Sequence, residues 1–179
     1  MKRLLSAVLY AVILLFLLMA CSEANPQNAK AFTNRGMVLF KQGEYQEALE
    51  QFEKAVEANP DDAQIYFYRA NALSALGRKE EAIKDYDRSI KLAPDVPQPY
   101  YNKGNALVRE GKNEEALKEF DTAIRKDPSY TRAYISKGLV LARIGKKDEA
   151  TEAFRQAKAI DPAAAVPPGF GITDAPDGK

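Results

Sequence analysis

From Ala29 to Ala164, aromatic, small and aliphatic side chains return on a fixed beat, with polar residues filling the intervals. Pro60, Pro94, Pro128 and Pro162 stand 34 residues apart and divide this stretch into segments 29–62, 63–96, 97–130 and 131–164. Within the segments, position 4 is Phe32, Tyr66, Tyr100 or Tyr134, position 8 is Gly36, Ala70, Gly104 or Gly138, and position 11 is always leucine. Position 20 is always alanine, position 24 is Phe52, Tyr86, Phe120 or Phe154, and position 27 is Ala55, Ser89, Ala123 or Ala157. Positions 4, 8 and 11 share one face of a helix, and 20, 24 and 27 share a face of a second, so each segment predicts two helices packed together. Small residues at 8, 20 and 27 allow close approach, and the aromatics fill the space beside them. The glycine at position 15 (Gly43, Gly77, Gly111, Gly145) suits the left-handed residue that ends a helix. Acids then open the second helix, where they meet the positive end of its dipole: Glu47, Glu80, Glu81, Glu114, Glu115, Asp148 and Glu149. The proline at position 32 ends that helix, and Asp61, Asp95 and Ser129 are placed to cap the next one.

This pattern resembles the tetratricopeptide repeat family, whose period it matches. The resemblance covers residues 29 to about 162 and implies an all-α fold, a right-handed α-solenoid of four helix-turn-helix pairs. Phe or Tyr replaces the family's Trp at position 4. Arg69, Lys103 and Lys137 stand at position 7 in place of Leu, where their stems are expected to lie on apolar neighbours. Position 21 reads Leu49, Ile83, Leu117, Thr151, and position 28 reads Val56, Ile90, Ile124, Lys158. The polar turn in the fourth segment is expected of a terminal helix with no repeat to follow. Residues 163–179 are rich in proline and glycine, lack helical periodicity, and predict a flexible C-terminal tail.

In the family, positions 2, 5, 6, 9, 12 and 13 of each first helix face the hollow side of the ribbon. On this chain none of those positions is acidic, while Lys30, Lys41, Arg109, Arg132 and Arg143 are basic. A basic hollow on a nearly neutral chain would steer anionic ligands toward it. Asn71, Asn102 and Asn105 offer both donor and acceptor to a peptide unit, and Phe67, Tyr68 and Tyr101 add rigid apolar area. Arginine would hold a carboxylate. The resemblance therefore implies a peptide-binding groove for a partner protein, through an acidic segment. Asn71, Asn102 and Arg132 match the two-carboxylate clamp of chaperone-binding members. Phe67 stands where that clamp has lysine, and Ser136 where it has a second basic residue. An anionic envelope glycan such as peptidoglycan, held by Tyr101, Asn102 and Arg109, is the alternative ligand.

Ahead of the repeats, Lys2 and Arg3 precede an uncharged, apolar run from Leu4 to Ala20. The run spans roughly 25 Å as a helix, short for a permanent span and ample for an export signal. Its residues allow a cleaved signal or an uncleaved anchor. Leu18-Met19-Ala20-Cys21 resembles the lipobox of bacterial lipoproteins, which implies a signal peptide at residues 1–20, lipidation of Cys21 and a lipidated linker over 21–28. The protein would then be a bacterial cell-envelope lipoprotein, anchored to the membrane through Cys21 and facing the periplasm or exterior. Ser22 follows the cysteine where the inner-membrane retention signal of enteric bacteria has Asp, which favours the outer membrane.

Composition narrows the chemistry. Lys and Arg number 26 against 25 acids, and cleavage before Cys21 would remove two bases and no acid. No basic stripe suited to nucleic acid results. The chain has no histidine and one cysteine, already assigned to the anchor. No metal site, cofactor or catalytic motif is expected, and the protein is expected not to be an enzyme.

Overall fold

The computed structural model describes residues 25–172. The expected signal peptide, the lipidation site expected at Cys21 and residues 173–179 lie outside the described residues. Eight α-helices and no strand occur among the described residues: α1 Pro26–Gln42, α2 Tyr45–Ala58, α3 Ala63–Ala75, α4 Lys79–Leu92, α5 Pro97–Arg109, α6 Asn113–Lys126, α7 Thr131–Arg143 and α8 Lys147–Ile160. None of them is long and apolar enough to cross a membrane. They form four antiparallel pairs, and each second helix packs on the first helix of the next pair. First helices also touch one another along the array, which gathers α1, α3, α5 and α7 onto one side of an α-solenoid.

The expected faces make the core. The rings of Phe52, Phe120 and Phe154 are fully buried. Each lies on a position-8 glycine: a Cβ on Gly36, Gly104 or Gly138 would stand 2.6, 2.6 or 2.5 Å from the ring's Cε1. Glycine is thus demanded by the approach of two helices, not by backbone conformation. Conformation decides the four turn glycines instead, with φ between 77° and 85° at Gly43, Gly77, Gly111 and Gly145. Position 21 seals the junctions. Leu49 is buried, Ile83 packs on the clusters of both neighbouring repeats, and Leu117 reaches Leu141 and Phe154 of the fourth.

Four expectations change. The N-caps fall one residue late, because the proline and the residue after it still form the turn. Asp62, Val96 and Tyr130 cap α3, α5 and α7, and Asp62 Oδ1 accepts from the Gln64 N–H at 2.8 Å. Asp61 and Asp95 pair instead with Arg88 and Lys126, while Ser129 donates to Asp127 Oδ1. Second, α1 begins at Pro26 with Asn25 as its N-cap, ahead of the expected start of the repeats at Ala29. Third, the position-7 cations form ion pairs. Arg69 makes a bidentate pair with Asp85 at 2.6 and 2.8 Å. Lys103 bridges Asp87 and Glu119 at 2.7 and 2.8 Å, and Lys137 meets Asp121 at 2.6 Å.

Fourth, the tail is packed as far as Ile172. Ala164 is buried, and Val166, Phe170 and Ile172 lie on Leu141, Ala150, Ala153 and Phe154. Phe170 meets Phe154 edge-on at 4.8 Å between ring centres. In the repeat register Phe170 falls at position 6 of a fifth segment, as Tyr68 does in the second, and Tyr68 likewise packs against the preceding Phe52, there as a stacked ring. Proline and glycine bar a helix here, yet the apolar spacing survives, so a turn-containing, non-helical segment covers the end of the array.

A candidate peptide groove

The inner face is built by the first helices, and its floor lies between repeats one and three. Phe40 of α1, Asn71, Ser74 and Ala75 of α3, Tyr86 of α4, and Asn102, Asn105 and Arg109 of α5 line a cavity of about 360 Å³. A smaller recess of about 110 Å³ continues from it past Met37, Phe40, Lys41, Phe52 and Tyr68. Across the floor runs a hydrogen-bonded triad. The Tyr86 hydroxyl donates to Asn71 Oδ1 at 2.7 Å, and Asn102 Nδ2 donates to the same oxygen at 2.8 Å. Arg109 Nη1 donates to Ser74 Oγ at 3.1 Å, which holds the guanidinium beside the triad. Burial pushes the Tyr86 phenol up from its ordinary range, against a smaller opposing pull from Arg109.

Of the sequence candidates, the structure brings Asn71, Asn102, Asn105 and Arg109 together around this cavity. Phe67 and Tyr68 line a second cavity, of about 470 Å³, at the rim between α3 and α5. Its other walls come from Asp62, Ala63, Gln64, Ser89, Ala93, Val96, Gln98 and Pro99. Tyr101 packs on Phe120 and edge-on against Tyr130, whose ring carries the Arg132 guanidinium at 5.8 Å. Arg132 and Arg143 are both exposed on α7, and they line none of these cavities.

Arg69, Arg78, Arg88, Lys103, Lys112, Lys126, Lys137, Lys146 and Arg155 each pair with a carboxylate, away from the inner face. Lys30, Lys41, Arg109, Arg132 and Arg143 pair with none among the described residues. The one acid at any of the three cavities is Asp62, already engaged as a helix cap. Among the described residues no group of three or more His, Cys, Asp or Glu side chains converges as metal ligands would.

Sequence reasoning missed Tyr86, placed on a packing position of an outer helix. Its signal was available: tyrosine replaces phenylalanine at position 24 in this repeat alone. For the rim cavity the sequence offered only Phe67 and Tyr68, because its other walls come from the starts of α3 and α5, the end of α4 and the turn between α4 and α5.

A family model described as "Tetratricopeptide repeat" matches residues 23–97 and 101–165. Among solved structures, MamA aligns with a TM-score of 0.72 at 27% identity, over 77% of this chain and 81% of that one. YrrB, described as "a TPR protein with an unusual peptide-binding site", aligns with a TM-score of 0.68 at 26% identity, over 79% of this chain and 71% of its own. TTC0263, a thermophilic TPR protein in Thermus thermophilus, gives 0.66 at 26%, over 74% of each. No curated protein matches the chain.

Proposed function

Because this chain belongs to the tetratricopeptide repeat family, whose fold commonly mediates protein or peptide binding and is generally a non-catalytic scaffold, we propose that it is a lipid-anchored bacterial envelope adaptor. It binds an acidic segment of a partner protein in the inner groove. One observation carries the groove assignment: the inner-face positions hold five basic side chains and no acid, and none of the five has a carboxylate partner among the described residues. Unpaired cations gathered above a concave surface attract an anionic partner from solution and hold it in register. Phe67, Tyr68 and Tyr101 supply apolar contact beside them. Support for the anchor comes from the sequence Leu18-Met19-Ala20-Cys21, which places a thiol at the end of an export signal. Two or more acyl chains on Cys21 would hold the repeats close to the membrane, on its periplasmic or exterior side.

Cross-linking in the native envelope tests the groove. Wild type is expected to capture at least one protein that an Asn71→Ala, Asn102→Ala, Arg132→Glu variant of unchanged circular dichroism loses. An identical set of captured proteins would remove the groove from the function. Co-sedimentation of the purified protein with cell wall, without any protein partner, would favour the glycan ligand instead. Cys21→Ala is expected to abolish fatty-acid labelling and leave the precursor uncut. Persistent labelling would refute the anchor.

A further inference from the structure

We propose that Tyr86 is a positioning residue that makes the groove floor read a peptide main-chain unit inside a partner segment, not a free carboxylate terminus. The proposal rests on the groove assignment and deepens it. Asn71 Oδ1 accepts from both the Tyr86 hydroxyl and Asn102 Nδ2, so its two lone pairs are spent within the protein. What remains unused of the pair is the Asn71 amide group and the second N–H of Asn102 Nδ2, which are donors, and Asn102 Oδ1, an acceptor. Both residues line the same cavity. Reversing the two amides would exchange the roles and still leave donor beside acceptor. A peptide unit matches it with its own C=O and N–H. A carboxylate offers acceptors only and would set an anion against the unpaired Asn102 oxygen.

Tyr86 is what holds Asn71 in this arrangement, for its hydroxyl takes the second lone pair of Asn71 Oδ1 and keeps that side chain beside Asn102. Phe52, Phe120 and Phe154 hold the same register in the other repeats and carry no hydroxyl. Asn105, one repeat further on at the position of Asn71, therefore has Phe120 beneath its own repeat and no side-chain hydrogen bond among the described residues. Arg109, steadied by Ser74, lies at the edge of the cavity and takes an acidic side chain flanking the bound peptide unit. The recognised feature is thus an internal, extended stretch with a neighbouring acid.

The test uses the full chain in detergent micelles and the blocked probe peptide acetyl-Ala-Glu-Phe-Glu-Ala-amide. It is compared with the same peptide bearing a free C-terminus, and with depsipeptide versions in which one backbone amide is an ester. Binding is read from the side-chain amide NMR signals of Asn71 and Asn102. The blocked peptide is expected to shift both signals, and the free terminus to change affinity less than about twofold. One ester position is expected to weaken wild-type binding about tenfold, as loss of one hydrogen bond to a buried polar group would. Tyr86→Phe, which restores the residue of the other repeats, is expected to weaken the blocked peptide to a similar extent and to abolish the ester effect, with the thermal midpoint held within a few degrees. A requirement for the free terminus, or full affinity in the folded Tyr86→Phe chain, would overturn the proposal while leaving the groove in place. Failure of every peptide to shift any inner-face signal would overturn the groove assignment itself.

Discussion

The tightest constraint on single residues lies where a glycine of one helix meets a phenylalanine of its partner. The would-be Cβ of Gly138 falls 2.5 Å from Phe154 Cε1, and that ring is itself held from behind by Phe170. Gly138→Ala must move a fully buried ring, so it should cost roughly 1–3 kcal/mol. Urea denaturation checks this; an unshifted midpoint would show that the ring relaxes freely. The second repeat solves the same contact differently, with Ala70 against Tyr86, both buried. Its buried phenol also sets a pH response. Because burial raises the folded-state pKa above the ordinary 10.0, the group's contribution to stability is fully present below pH 10, and the native state loses stability as pH rises beyond it. Tyr86→Phe should remove that part of the alkaline loss. Parallel unfolding curves at about pH 8 and about pH 11, on either side of the ordinary phenol pKa, would show the variant falling less than wild type.

Helices are joined by two devices at the next scale. Cations at position 7 clip first helices to carboxylates of the second ones, and Arg69 with Asp85 is the most enclosed pair, with side chains 23% and 11% exposed. Asp85→Ala strands a half-buried guanidinium and should cost roughly 2 kcal/mol, between the values typical of exposed and buried pairs. A thermal scan showing no loss would mean that Arg69 escapes to solvent. At position 4, tyrosines tie the turns, for the Tyr66 and Tyr100 hydroxyls donate to the carbonyls of Pro60 and Pro94 at 3.1 Å. The end of the array has its own device in residues 164–172. Phe170→Ala uncovers Phe154 and Leu141 and should cost roughly 1–2 kcal/mol for a half-buried ring. Its fall in thermal midpoint should approach that of a chain ending at Pro162. Were the two to differ widely, Val166 and Ile172 would carry the cap.

Over the whole molecule, charge is divided by side. Nine cations away from the inner face have a carboxylate partner, whereas the inner face gathers five basic side chains that have none among the described residues. Binding of an acidic peptide should therefore weaken steadily with added salt, because exposed charges are screened over about 10 Å at roughly 0.1 M. Replacing Arg132 and Arg143 with Glu should flatten that salt dependence and leave the repeat fold intact. Titrations at two ionic strengths make the comparison. Equal slopes for variant and wild type would place the attraction elsewhere.

Helix number, pairing, turn glycines and the inner face were legible from one chain, because a repeat states its rule four times and packing alone explains each recurring type. Position 8 had to be small beside position 24, and no detail of geometry was needed to see it. Tertiary structure alone decided what followed from departures and from turns: the pairing of Arg69, Lys103 and Lys137 with acids, the triad of Tyr86, Asn71 and Asn102, the rim cavity, and the packing of residues 164–172. Each of these depends on which side chains meet across helices distant in sequence. Periodicity fixes the face a residue occupies but not the atom that it touches.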